Sequence, residues 1–187
     1  MIAYAFCGSF CTIRRSLTVM RRLCESWEEI QPIMSEIVYH TDTRFGRADA
    51  LCEEVTAICG REIIHSVRDA EPLGPVLRPE LLVVAPCTGN TLAKLAHGIT
   101  DTAVTMAIKS VLRSDGRVLL SLATNDALSA NLPNLGSVMM RKNVYVVPLL
   151  QDDPTHKPYS LVSRFEMIPD AVAAMRRGEQ LRPIFLS

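Results

Sequence analysis

Leu81-Leu82-Val83-Val84-Ala85-Pro86-Cys87-Thr88-Gly89-Asn90-Thr91 is the stretch on which the fold turns. Residues 81–85 form a continuous apolar run, too short for a core helix and lacking polar alternation, which is the pattern of a strand buried on both faces of a parallel sheet. Two threonines, a glycine and an asparagine follow at once and open a segment of helical spacing over 90–96. Strand, polar turn and helix together make half of a crossover unit. The alternation repeats on both sides. Towards the N-terminus, a strand over 2–6 precedes a helix over 13–27, whose Leu17, Met20, Leu23, Cys24 and Trp27 recur every three or four positions. A strand over 31–34 precedes a helix over 47–59, with Gly60 placed to stop it. Towards the C-terminus, a helix over 102–112 lies beyond a break at Gly98. A strand over 118–122, a helix over 132–141 and a strand over 144–147 come next.

Two segments read differently. Residues 71–79 hold Pro72, Gly74, Pro75 and Pro79 and are expected as a rigid surface connection. In the tail, Leu161, Val162, Phe165, Ile168, Val172 and Met175 keep helical spacing around Pro169, so 149–187 is expected as a loop and a helical tail of one kinked helix or two short ones. The predicted class is α/β: a doubly wound, Rossmann-like parallel sheet with helices on both faces, one domain over 1–187.

Composition narrows the function. A chain of 187 residues with 48% hydrophobic content can bury one sizeable core. Its apolar runs are far shorter than the roughly 18 residues that span a bilayer. Lys plus Arg balance Asp plus Glu at 20 each, which removes the basic footprint of a nucleic-acid or anionic-membrane binder. The N-terminus has no basic stretch ahead of its apolar run, so a soluble, cytoplasmic protein is expected. Cys7, Cys11, Cys24, Cys52, Cys59 and Cys87 are spread as free thiols would be, and Cys7-x3-Cys11 lacks the second pair that zinc spacing requires; no metal is expected.

Ligands of doubly wound sheets sit beyond the carboxyl ends of the strands, so the loops there are where chemistry is sought. Phe6-Cys7-Gly8-Ser9-Phe10-Cys11-Thr12 carries one glycine, not the three of a dinucleotide fingerprint, yet a Gly-Ser step at a helix start can present backbone N–H groups and a hydroxyl to one phosphate. The same step also serves as an ordinary turn. The loop over 86–91 offers uncharged donors, and helix capping accounts for its Thr and Asn equally well.

What separates these readings is the order of residues in Ala85-Pro86-Cys87-Thr88-Gly89-Asn90-Thr91-Leu92-Ala93-Lys94-Leu95-Ala96-His97-Gly98-Ile99-Thr100-Asp101. It resembles the signature, close to PASANT and then a helix ending G-x-x-D, of the flavoprotein superfamily that includes flavin-containing cysteine decarboxylases and phosphopantothenoylcysteine decarboxylase. Within it the chain is most similar to the B subunits of dipicolinate synthases, through the 6–12 loop, Thr41-Asp42-Thr43-Arg44-Phe45-Gly46, Ala70-Glu71-Pro72-Leu73-Gly74-Pro75, Ala123-Thr124-Asn125-Asp126-Ala127-Leu128, Gln151-Asp152-Asp153-Pro154 and Lys157-Pro158. These matches span almost the whole chain.

The resemblance implies FMN, with Gly8, Ser9, Ser35, Pro86, Thr88, Gly89, Asn90, Thr91, Ala123 and Thr124 around its phosphate and ribityl chain. It implies oxidation of dihydrodipicolinate to dipicolinate in sporulation, jointly with the NADP-binding A subunit of dipicolinate synthase, and a homo-oligomer. The alternatives are an FMN-dependent decarboxylase of a cysteine-like substrate, or a non-catalytic partner with a vestigial FMN pocket.

Departures from the decarboxylases weigh against the first alternative. Of their substrate motif, close to P-x-M-N-x-x-M-W, residues 122–129 keep only Asn125, and where they hold a catalytic histidine the chain has Thr43-Arg44-Phe45-Gly46, with His40 the nearest imidazole. A planar guanidinium grips a carboxylate through two bonds, which makes Arg44, with Asn125, the candidate for holding a small carboxylated substrate. Arg44 is equally readable as a surface residue. Asp126 reads as an Asx turn, His97 as a charge partner for a helix end, and His65 and His156 as isolated.

Overall fold

The computed structural model describes residues 1–187 as a seven-stranded, mostly parallel sheet between two layers of helices. In chain order the elements are β1 (Ile2–Phe6), α1 (Ile13–Cys24), β2 (Ile30–Met34), α2 (Glu36–His40), α3 (Ala48–Cys59), α4 (Val67–Ala70), β3 (Leu81–Cys87), α5 (Gly89–His97), α6 (Ala103–Arg113), β4 (Arg117–Thr124), α7 (Leu132–Met139), β5 (Val144–Val146), β6 (Leu149–Leu150), β7 (Leu161–Ser163) and α8 (Ile168–Arg176). The parallel strands run in the order β2-β1-β3-β4-β5. Winding reverses between β1 and β3. There the loops leaving the two strands diverge, and a crevice opens beyond their carboxyl ends.

Both faces are dry, as the unalternated apolar strands require. Ile2, Tyr4 and Phe6 of β1, with Leu81 and Val83 of β3, pack against α1, α3 and α8. Ala3, Ala5, Cys7, Leu82 and Val84 face α5, α6 and α7. A register shift between Val84 and Cys87 breaks the alternation at the end of β3 and turns Cys87 to the Cys7 side. The buried phenol of Tyr4 is tied to Ser16 Oγ at 2.8 Å, and Ser16 donates to the Ala85 carbonyl at 2.5 Å, so one polar pin joins α1, β1 and β3.

Three expectations are corrected. Residues 71–79 are no mere surface connection: α4 and a following 3₁₀ turn bury Ala70 and Leu73 completely beneath α6. Leu161 and Val162 belong to β7, which pairs antiparallel with the end of β4 and with β6; their spacing fits a helix only by coincidence with the apolar positions that follow. Pro169 begins α8 instead of kinking it, because the first turn of a helix needs no N–H from that position. The sequence pattern also gave no sign of α2, a single turn after Ser35. Gly60 and Gly98 close α3 and α5 in the left-handed conformation (φ 64° and 71°), as their positions suggest.

Candidate functional site

The switch-point crevice is a cleft of about 410 Å³. Its inner wall is built from Gly8 and Ser9 after β1, Thr88 and Gly89 after β3, and Ala123, Thr124 and Asn125 at the end of β4. Its rim carries Arg44 and Phe45 from the loop after α2, and Asp152, Lys157 and Ser160 from the loop between β6 and β7. Eight of the twelve residues singled out from sequence therefore meet in one place. The remaining four, Ser35, Pro86, Asn90 and Thr91, do not line it.

The wall is tightly specified. Thr88 caps α5 by accepting the Thr91 N–H at 3.3 Å, which leaves the N–H groups of Gly89 and Asn90 outside the helix's own ladder. Thr91 is buried behind the wall and donates to Cys7 Sγ at 3.2 Å, joining α5 to the end of β1. The Pro86 carbonyl accepts the Cys7 N–H at 3.1 Å; this proline fixes strand pairing and does not reach the cleft. Burial pushes the Cys7 thiol up to about 11, and Cys87 beside it well above the usual thiol range, so both are neutral hydrogen-bonding or packing groups at ordinary pH. Ser9 donates its N–H to the Cys7 carbonyl at 2.8 Å, and its hydroxyl accepts the Thr12 hydroxyl at 3.0 Å with only a long 3.9 Å contact to Cys11 Sγ beyond it.

Gly89 could be nothing else. A Cβ there would lie 2.5 Å from Thr124 Oγ1, 2.7 Å from Asn131 Nδ2 and 2.8 Å from Asp126 Oδ1. Those atoms form a network that sequence reasoning missed: Thr124 donates to one Asp126 oxygen at 2.5 Å, Asn131 to the other at 2.8 Å, and Asn134 to Asn131 at 2.9 Å. The Asp126 backbone carbonyl also accepts the Ser129 and Asn131 N–H groups, so the chain does turn here, but not as the expected Asx turn: the Asp126 carboxylate is taken up by the Thr124 and Asn131 side chains instead. Ser35 Oγ, at the end of β2, is buried and has no partner of any kind. Unsatisfied buried hydroxyls are rare in folded proteins; Ser121 Oγ is the other one here, and Ser35 stands next to the end of β1, its N–H donating to the Phe6 carbonyl at 3.0 Å.

Lys94 and Asp101 face neither wall nor rim. They form a 2.7 Å ion pair that clasps the turn around Gly98, which explains their place in the sequence motif. His65 is not isolated, because its ring stacks on Tyr39 with centroids 3.7 Å apart and His40 meets both edge-on. His156 Nδ1 lies 3.0 Å from an Asp153 oxygen on an exposed turn. All six cysteines are unbridged.

A family model described as Flavoprotein matches residues 1–155, more than four fifths of the chain. This chain belongs to the flavoprotein family. The flavoprotein is 37% identical over 185 residues to the B subunit of dipicolinate synthase from Bacillus subtilis (strain 168), a match that covers 99% of this chain and 92% of that one. Its structure superimposes on the crystal structure of the B subunit of dipicolinate synthase from Bacillus halodurans C with a TM-score of 0.91 and 36% identity, over 100% of this chain and 95% of that one. The FMN-dependent cysteine decarboxylase SpaF shares the fold, with a TM-score of 0.65 and 20% identity over 94% and 95% of the two chains. No helix of the flavoprotein is long and apolar enough to cross a membrane.

Proposed function

We propose that this flavoprotein is the B subunit of a dipicolinate synthase, binding FMN in the switch-point cleft. In this reading it takes part, with the NADP-binding A subunit, in oxidising dihydrodipicolinate to dipicolinate during sporulation. What supports the reading above all is similarity to B-subunit chains over essentially the whole length of this chain. The resemblance also favours a cytoplasmic homo-oligomer.

The residues present suit FMN. The inner wall offers hydroxyls and first-turn N–H groups in place of lysines, which is how a phosphate is held at a helix start. Gly8 is close-packed on its other side, since a Cβ there would press on Ile37 Cγ2 at 3.2 Å. The orphaned Ser35 hydroxyl supplies a donor that the protein itself leaves unused. Gly8, Ser9 and Thr88 would hold the phosphate, with the Ser35 hydroxyl joining them from outside the present lining of the cleft, and Gly89, Asn90, Ala123 and Thr124 would surround the rest of the cofactor while Thr91 supports them from behind the wall. Bound flavin supplies hydride acceptance, chemistry that belongs to the cofactor. Arg44 and Asn125 orient the carboxylated substrate, and Phe45 and Phe10 shield the cleft from water.

Ser35→Ala tests this, because the two roles of that hydroxyl have opposite signs. Without ligand, removing an unsatisfied buried hydroxyl leaves stability unchanged or raises it, by up to about 1–3 kcal/mol. FMN binding weakens at the same time. Flavin fluorescence titration of wild type and Ser35→Ala, with thermal melts of both apo proteins, reads the two effects. Absence of FMN binding by the wild type at millimolar flavin overturns the cofactor assignment.

A further inference from the structure

Lys157 lines the same cleft as Arg44, from a different loop. In the sequence it belongs to a Lys-Pro step shared with the family, and nothing in that step assigns it a role. It lies on the loop between β6 and β7, which the pairing of β7 with the end of β4 brings to the carboxyl edge of the sheet. The loop is a built turn. Lys157 N–H donates to the Asp153 carbonyl at 2.8 Å, Gln151 Nε2 to the Pro158 carbonyl at 2.9 Å, and Ser160 Oγ to the Thr124 carbonyl at 3.2 Å. The Tyr159 carbonyl accepts the Leu128 N–H, tying the turn to the segment that carries Asn125. The Lys157 backbone is therefore fixed relative to Asn125, and its side chain lines the cleft.

Its present partner is weak. Lys157 Nζ meets Asp152 at 3.3 Å, and both side chains are substantially exposed, a pair that contributes little. Arg44, on the other loop of the rim, has no carboxylate partner at all; its guanidinium rests on the Phe45 ring, 4.8 Å from the centroid. A tight turn, with reciprocal N–H to carbonyl bonds between Thr43 and Gly46, holds that arginine at the rim. The cleft thus presents two cations on separate fixed loops and a single acid, Asp152, already engaged with one of them. A monocarboxylate needs only one cation. A rigid ring carrying two carboxylates at fixed separation is matched by two.

Building on the substrate reading above, we propose that Lys157 is the specificity residue for the second carboxylate: Arg44 clamps one carboxylate of a planar ring dicarboxylate, and Lys157 exchanges Asp152 for the other. Asp152 then acts as the resident competitor, holding the ammonium in place and screening out ligands that carry no second anion.

The test is calorimetric titration of the FMN-saturated protein with pyridine-2,6-dicarboxylate and, separately, pyridine-2-carboxylate. Wild type is expected to bind the diacid about tenfold or more tighter than the monoacid, the range for a hydrogen bond to a charged group. Lys157→Met should bring that ratio close to one by weakening the diacid alone, with monoacid and FMN affinities retained. Asp152→Asn should tighten the diacid several-fold, because the competitor is gone. A wild-type preference that survives unchanged in Lys157→Met overturns the role of Lys157 and leaves the dicarboxylate reading standing. A wild type without any preference for the diacid overturns both.

Discussion

The inner wall of the cleft and its rim face each other across solvent and are held by opposite means. Gly8, Ser9, Thr88 and Gly89 sit at strand ends, where capping bonds, a thiol acceptor and the Thr124–Asp126–Asn131 network leave almost no freedom. Arg44, Phe45 and Lys157 are exposed side chains on two loops whose backbones are tied down but whose heads are not. A wall of that kind fixes where a ligand sits, since any change in it propagates into the sheet. A rim of the second kind discriminates between ligands, since its groups can exchange partners without disturbing the fold. The contrast predicts that wall substitutions move stability and rim substitutions move only selectivity.

The largest effect should come from Gly89→Ala. Three polar atoms stand within 2.8 Å of the new methyl group, so the start of α5 or the Asp126 network must shift. Overpacking of this order costs about 1–3 kcal/mol, which is roughly 2–10 °C for a domain of this size, read by circular dichroism melting. A melting point within a degree of wild type would remove the argument that this wall is rigid.

Thr88→Ala comes next. It takes away the acceptor for the Thr91 N–H and should lower stability by about 1 kcal/mol, with a parallel loss of FMN affinity. Urea denaturation and flavin titration on the same preparation separate the two.

The wall also carries a pH signature. Burial raises the folded-state value of Cys7 to about 11, above the ordinary thiol range of roughly 8.5. A group raised in the folded state contributes stability that is complete below its unfolded value and is lost as pH climbs through its folded value. Wild type should therefore lose stability between about pH 8.5 and 11, and Cys7→Ala should flatten that decline. Iodoacetamide at about pH 8.5, the ordinary thiol range, should label exposed Cys11 at the rim and spare Cys7 and Cys87 until the protein unfolds. Early labelling of either buried thiol would show that the wall opens.

Arg44→Lys should have the smallest effect on the fold, within about 0.5 kcal/mol, because nothing but Phe45 rests on that side chain. Its consequence belongs to function. Charge is kept and the two-pronged geometry is lost, so oxidation of dihydrodipicolinate by this chain reconstituted with the A subunit should show a raised Michaelis constant at unchanged FMN affinity. Unaltered kinetics in Arg44→Lys and in Asn125→Ala would assign these two residues a scaffold role.

Much of the wall was legible before the structure because it is contiguous with the strands. A polar turn that follows an apolar run must lie at the carboxyl edge of a parallel sheet, so Gly8, Ser9, Thr88 and Gly89 were placed by their neighbours in sequence, and Thr124 through the family resemblance. The rim was legible only where family resemblance and the chemistry of a guanidinium coincided, as for Arg44. Lys157 and Asp152 shared the resemblance and still gained no role, because the apolar spacing around Leu161 and Val162 fits a helix as well as a short strand, and a helix there would have carried them away from the site.

Sequence alone determined the alternation of buried strands and amphipathic helices, the stops at Gly60 and Gly98, and the uncharged character of the wall, since each depends on interactions within a few residues of chain. Tertiary structure alone decided that β7 pairs with the end of β4, that Gly89 has no room for a methyl group, that Ser35 is left without a partner, and that Lys157 lines the same cleft as Arg44. Each of those facts is a contact between segments far apart in the chain, and no local pattern encodes a distance that only closure of the sheet creates.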